Sequence, residues 1–297
     1  GAGNDNLGNH NAEQRLDMGN FPILKVSSLT ITGNAAYAHA LQAGANGVLI
    51  STGGAITTTG TGHGTVAGNT RALGAVDLQT VRLNAAQVSS GTYSTIGGGR
   101  ENAAGGANSV VSGGLGNTAP GLSAAVAGGQ GNSASGSHSV VAGGESNDAA
   151  FRYSFIGGGS GNTASNEYLV IGGGLDNVAS GAYSVIAGGD SNSTDASYAS
   201  VGGGSNNAAE AAYSVVSGGQ SNSASGAHAV VPGGLSNQAN NPYSFAAGRT
   251  AWAYADGAFS WADSEGVTIN NNVADRTWFK NRGGFVVTAI RAGGKAP

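Results

Sequence analysis

Apolar, small and polar positions recur through residues 91–248 with a period of 15 and no insertion or deletion. The first of two adjacent glycines stands at Gly98, Gly113, Gly128 and at every fifteenth residue to Gly233. Two residues before it comes a β-branched apolar residue in all ten copies, from Ile96 and Val111 to Val231. Four residues after it comes asparagine, from Asn102 to Asn237, and six after it alanine, with Thr194 the exception. A period this strict describes stacked, near-identical coils. Fifteen residues hold no helix-period stripe but suffice for one or two short strands and their turns. The Tyr-Ser-Val-Val run reads as strand, and Gly-Gly-x-x-Asn as the turn, because glycine and asparagine tolerate positive φ. The expected fold is therefore all-β, a parallel roll in which equivalent strands pair at about 4.8 Å, roughly 48 Å for ten coils. The asparagines should form a ladder from coil to coil. The small residues before the marker (Gly97, Ser112, Ala127, Ala142, Gly157) are expected in a tight interior.

A second apolar row lies three residues before the marker: Val110, Val140, Phe155, Val170, Val185, Val215, Val230 and Phe245, with Thr95, Ala125 and Ser200 as weaker copies. Neighbouring strand residues point to opposite faces, so if the β-branched row fills the coil this row faces out. A continuous exposed apolar stripe is normally an interface, and the repeat reads as one wall of an oligomer.

Around this head the chain divides into a β module at 1–50, a Gly/Thr-rich lead-in and cap at 51–90, the repeat at 91–249 and a C-terminal cap or tip at 250–297. The segment 75–88 (AVDLQTVRLNAAQV) is expected to cap the first coil. Past Gly248 the rhythm fails, since Arg249 replaces the second glycine. Phe279, Phe285, Val286, Val287 and Ile290 are expected in a closing strand pair around Asn281–Gly284. Gly1-Ala2-Gly3 reads as a trimmed end.

Charge and composition narrow the function. The 297 residues include 55 glycines and carry a net charge of −4. Within the repeats three basic residues (Arg100, Arg152, Arg249) face eight acidic ones, the wrong footprint for nucleic acid. No apolar run is long enough for membrane insertion. The absence of cysteine excludes disulfides and thiolate metal sites.

The pattern Tyr-Ser-x-Val-x-Gly-Gly-x-x-Asn-x-Ala, seen at Tyr213, Ser214, Val216, Gly218, Gly219, Asn222 and Ala224, resembles the head repeats of the YadA-like trimeric adhesins. It covers about half the chain. The lead-in Gly74-Ala75-Val76-Asp77-Leu78-Gln79-Thr80 is similar to segments that precede such heads in phage tail-fibre proteins and bacterial surface proteins. Asp5-Asn6-Leu7-Gly8-Asn9-His10 resembles a second motif of that company. Phe259-Ser260-Trp261-Ala262-Asp263-Ser264 and Gly283-Gly284-Phe285 resemble the segment that closes such heads. The resemblance implies a left-handed roll, a homotrimer around one axis and attachment to a surface. The missing coiled-coil stalk and anchor barrel favour a virion tail fibre over a bacterial cell-surface adhesin, or else a trimmed head. Its expected partners are a host-cell surface polysaccharide or protein receptor and a neighbouring fibre or baseplate protein.

Candidate chemistry is sparse. No glycine pair continues into a phosphate loop. Calcium rolls need aspartate where this repeat has asparagine, so neither a metal nor another cofactor is expected. His138 and His228 occupy the tyrosine position of the repeat and read as members of a surface or interface ladder. His10 and His63 would reach metal-ligand number only as three copies on a threefold axis, and His39 lacks partners. The acids Asp256, Asp263, Glu265 and Asp275 read as turn residues rather than the paired carboxyls of a glycosidase. A non-enzymatic head is therefore expected, the alternative being a fibre-borne polysaccharide depolymerase, glycoside hydrolase or lyase. Receptor contact is assigned to Trp252, Tyr254, Trp261, Arg276, Trp278 and Arg282, aromatic and basic groups of the kind hot spots use; the bland reading has the tryptophans filling the cap core.

Overall fold

The computed structural model of the chain describes residues 56–57, 72–79, 81–265 and 268–281. The N-terminal module, His10, His39, His63, Arg282 and nearly all of the expected closing strand pair lie outside the described residues.

The described chain is an all-β solenoid of parallel strands. One sheet runs from Ile56–Thr57 and Val76–Asp77 through Thr95–Ile96 and then one two-residue strand per coil to Val230–Val231. It ends on Phe245–Arg249, Phe259–Ala262 and Thr277–Lys280. A second sheet takes the other strand of each coil, from Ser133–Ala134 to Gln238–Ala239, Ala251–Ala253 and Ile269–Asn271. Register is one repeat: Val140 pairs with Phe155, Phe155 with Val170, and Ser133 with Asp148. A third line of parallel bridges, Leu115 to Gln130 to Glu145 and onward, ties the turns after the glycines.

Four positions per coil are fully buried. The β-branched row (Ile96, Val111, Val126 and so on) shares the interior with the residue two before it, serine or alanine except for Leu169, with the asparagine and with the alanine of the second strand. Each such Val or Ile contributes about 1.5–3 kcal/mol by leaving water. Thr194, the one departure from alanine, is buried too, and its hydroxyl bonds Ser184 Oγ in the same coil at 2.8 Å. A polar side chain inside so thin a core thus arrives with its partner.

Two expectations are corrected. The small residues before the marker do not line the interior: Gly97, Ser112, Ala127 and Ala142 are exposed and Gly157 is half-exposed. They follow the buried β-branched residue directly, so the alternation of the strand turns them outward. Nor is Tyr-Ser-Val-Val a strand throughout. Only its last two residues pair, while the tyrosine sits in left-handed backbone, with φ of 57° at Tyr153 and 61° at Tyr183. The serine closes that turn from inside, Ser139 Oγ donating to Gly136 O at 2.7 Å and Ser214 Oγ to Ala211 O at 2.7 Å.

The asparagine ladder forms as expected. Asn177 shows the pattern: its backbone N–H donates to Asn162 Oδ1 at 3.0 Å. Its Nδ2 donates to Asn162 Oδ1 at 3.0 Å, to Gly173 O at 3.0 Å and to Gly189 O of the next coil at 2.9 Å. The second glycine is required by this packing. A Cβ on Gly174, at φ +103°, would stand 2.1 Å from Gly189 O and 2.7 Å from Asn177 Nδ2. The ladder's first rung is not asparagine. Buried Gln79 accepts the Asn102 N–H at 2.7 Å and donates to Asn102 O at 2.8 Å. The last rung, Asn237 Oδ1, accepts from Ala251 N at 2.9 Å.

In the lead-in the polar residues face inward. Asp77 and Gln79 are buried while Leu78 and Leu83 are exposed, and Arg82, itself buried, donates to Asp77 Oδ2 at 2.8 Å. Among the described residues no three His, Asp or Glu side chains are grouped as metal ligands. With amides rather than carboxylates in the turns, EDTA is expected to leave the Tm unmoved in a thermal melt. A drop of several degrees restored by calcium would contradict the ladder's role.

Candidate functional site

The outward row is where alternation puts it. Val110, Phe155, Val170 and Val185 keep 37 to 40% of their surface in this single chain, and Val140, Val215, Val230 and Phe245 are half-buried. Their strands pair in unbroken register, so one coil's side chain abuts the next. The stripe continues past the repeat, where the Phe245 and Phe259 rings stack at 4.6 Å and Phe259 meets Phe279 at 5.4 Å. Neither this row nor the outward small row beside it contains a charged residue from Thr95 to Trp261. The charges of the repeats lie on other rows, as with Glu145 and Asp190 at the turn bridges and Asp148 on the second sheet.

The second feature appears where the period breaks. Val230 pairs with Phe245 at the usual step of 15, but Phe245 pairs with Phe259, a step of 14. Gly234 pairs with Gly248 and Leu235 with Arg249, again at a step of 14. Gly248 therefore takes the register of the second glycine rather than of the marker, and Arg249 does not replace that glycine. With one residue fewer before the turn, Phe245–Arg249 runs as one continuous strand. Its Ala247 pairs with Trp261, which places a tryptophan at the end of the outward small row, after Ser217, Pro232 and Ala247. Trp261 is 47% exposed. It borders an open groove of about 470 Å³ lined with Gly234, Leu235, Gly248, Arg249, Ala262, Asp263 and Ser264. A second hollow of about 370 Å³ shares Trp261 and adds Pro232, Gly233 and Ala247. Arg249 is held at the groove by Nη1 donating to Ser264 O at 3.0 Å, and Asp263 Oδ1 accepts the Glu265 N–H at 3.1 Å.

The six expected contact residues do not form one platform. Trp252 and Tyr254 sit on the second-sheet side, half-buried and tilted at 5.6 Å. Trp252 Nε1 donates to Ser236 O at 3.4 Å, and the Tyr254 hydroxyl bonds Gln238 Oε1. Burial pushes the Tyr254 phenol above its ordinary pKa. Trp278 pairs with Ser260, a buried position, so it takes inward register on the last described strand and remains 39% exposed there. Arg276 is exposed, and its carbonyl accepts from Asn271 Nδ2 at 2.6 Å. Arg249 and Leu235, which flank Trp261, are absent from that set. Counting 14 rather than 15 residues from Leu235 would have brought Arg249 beside it.

Of the four acids weighed for catalysis, Asp256 Oδ1 accepts from Asn241 Nδ2 at 3.0 Å, and the Asp275 N–H donates to Asp256 O at 2.9 Å. These are turn contacts between successive coils.

A third feature is a continuous stack of rings. His138, Tyr153, Tyr168, Tyr183, Tyr198, Tyr213, His228 and Tyr243 follow one another at 4.8 to 5.2 Å between centroids, within 13° of parallel. The histidines thus take their expected places in the ladder. Arg152 closes over one edge, its guanidinium carbon 5.7 Å from the Tyr168 centroid and its Nη2 2.5 Å from Glu167 Oε2. The hydrogen bond to Glu167 raises the Arg152 pKa further above its ordinary value.

These features define a parallel β-solenoid with one charge-free apolar flank and an aromatic groove where its period changes. Comparison with protein-family models and with curated proteins returns no match.

Proposed function

We propose that this chain is a non-enzymatic fibre head. In this reading three copies pack through the Val/Phe row into a rigid rod. The rod's C-terminal part attaches it to a polysaccharide or protein receptor on a host-cell surface, or to the adjoining fibre protein. Its place is a virion tail fibre or a similar extracellular appendage. The observation that carries the reading is the flank itself, free of charge from Thr95 to Phe259 and apolar there except at Thr95 and Ser200, while the turn-bridge row of the same coils carries Arg100, Glu145 and Asp190. Solvent alone gives no reason to keep valine and phenylalanine there coil after coil. The resemblance to trimeric adhesin heads supplies the number three.

Trp261 is the first contact residue in this reading. An indole beside Arg249 and Asp263 combines an apolar face with charged hydrogen-bonding groups, the chemistry that recognises a sugar ring or a polar protein edge. Three copies add avidity to one weak site. Trp261→Ala is expected to lower binding to intact host cells at least tenfold while oligomer mass and circular dichroism stay unchanged. Unchanged cell binding by that variant would remove the groove from the account, and release of reducing sugar from host glycan by the wild type would favour the depolymerase.

A further inference from the structure

The ring ladder is not required by the turn that carries it. The same left-handed position is filled by Asn108 and Ser123 in the coils before it, at φ of 58° and 53°. Left-handed backbone disfavours bulky side chains, yet tyrosine or histidine occupies it in every coil from His138 to Tyr243. Each inner ring has a neighbour on both faces, so its faces cannot take a sugar or another planar ligand. Edges and hydroxyls remain open, the six stacked tyrosines being 36 to 69% exposed. What is accessible is the phenol oxygen and the ring carbons ortho to it, repeated at the spacing of the coils.

We propose that Tyr153, Tyr168, Tyr183, Tyr198 and Tyr213 form a site of oxidative cross-linking, at which adjacent coils of one chain are joined by dityrosine. A one-electron oxidant takes an electron from each of two neighbouring phenols, and each phenol loses its O–H proton. The two phenoxyl radicals pair their spins at ortho carbons to form one C–C bond. The hydrogens on those carbons move to the oxygens and restore both phenols. The net change is loss of two protons and two electrons; with hydrogen peroxide as terminal oxidant these reduce it to two waters. Parallel rings at 4.8 to 5.1 Å need only a roll of exposed side chains to bring ortho carbons into contact. The run is bounded, because imidazole cannot enter this coupling: His138 ends it on one side and His228 separates Tyr213 from Tyr243 on the other. Tyr93 is isolated by Asn108 and Ser123.

The test is mild oxidation of the intact chain at low concentration with a peroxidase and hydrogen peroxide, or with a photo-oxidised ruthenium complex. Dityrosine is read by its blue fluorescence and by peptide mapping. The expected products are same-chain links between residues 15 apart within Tyr153–Tyr213, each two hydrogens lighter, in at least tenfold excess over links to Tyr93 or Tyr243. Tyr183→Phe, which keeps the stack but cannot form the phenoxyl radical, should abolish the links to Tyr168 and Tyr198. The Tyr153–Tyr168 and Tyr198–Tyr213 links should survive in that variant. No dityrosine, links only between chains, or links at Tyr93 and Tyr243 as frequent as within the run would overturn the proposal.

Discussion

Replacing Asn177 by aspartate is expected to destabilise the solenoid by about 3–5 kcal/mol at neutral pH, the usual cost of leaving a buried charge without its partners. Aspartate keeps the oxygen that accepts the next coil's Asn192 N–H, at 3.0 Å in the native chain. It loses the Nδ2 that donates to Gly173 O and Gly189 O, and a carboxylate there faces two carbonyl oxygens. Burial and that repulsion should raise the new carboxyl's pKa in the folded state above its unfolded value of about 3.9. The sign follows from linkage: the unfolded chain gives up the proton first, so stability falls as pH rises above about 4 and levels off beyond the folded pKa. Asn177→Ala should cost about 2–3 kcal/mol, for orphaned backbone groups alone, with no pH dependence of its own. Denaturant melts of both variants from pH 3 to 8 check this, and an Asn177→Asp loss as flat in pH as that of the alanine variant would contradict it.

The ladder was legible in the sequence because its requirement is local and repeated: one amide, one spacing, ten copies. The first sheet and the outward Val/Phe row were legible for the same reason, since a period of 15 fixes register and alternation fixes facing. The period left open whether each coil has one strand or two, and the second sheet is set by the short strands after the asparagines. What the sequence concealed is the backbone at the tyrosine. Its aromatic, β-rich context argues for strand, and only the turn geometry, with Ser139 Oγ holding Gly136 O from inside, shows the left-handed kink. The small row before the marker was misplaced because small size suggests a tight interior, while alternation alone sets its direction. Gln79 as the first rung was hidden by its different residue type and by a step of 23 to Asn102 instead of 15. Of the candidate site, Trp261 was visible as an aromatic after the repeat. Its groove was not, because that depends on the loss of one residue before the turn and on Arg249 pairing with Ser264.

The second large effect belongs to the flank. Phe155→Asp together with Val185→Asp is expected to convert the assembly into monomer or insoluble chain. Each of these side chains keeps about 40% of its surface exposed in the single chain, so its burial between copies is worth ~1 kcal/mol. Losing that alone would be tolerable. Two carboxylates per copy, desolvated against valines of the neighbouring chain, add several kcal/mol each and occur three times. Glu145→Lys and Asp190→Lys, on a charged row, are the control and should leave the assembly intact. Sedimentation of the two double variants side by side checks the difference; equal behaviour would place the interface elsewhere.

The central claim is that the apolar flank joins three copies, and the mass of the unmodified chain in solution tests it most directly. Light scattering behind a sizing column, at micromolar concentration and moderate salt, should give three times the 28.7 kDa of one chain with no concentration dependence. A soluble species of 28.7 kDa at that concentration would contradict the account.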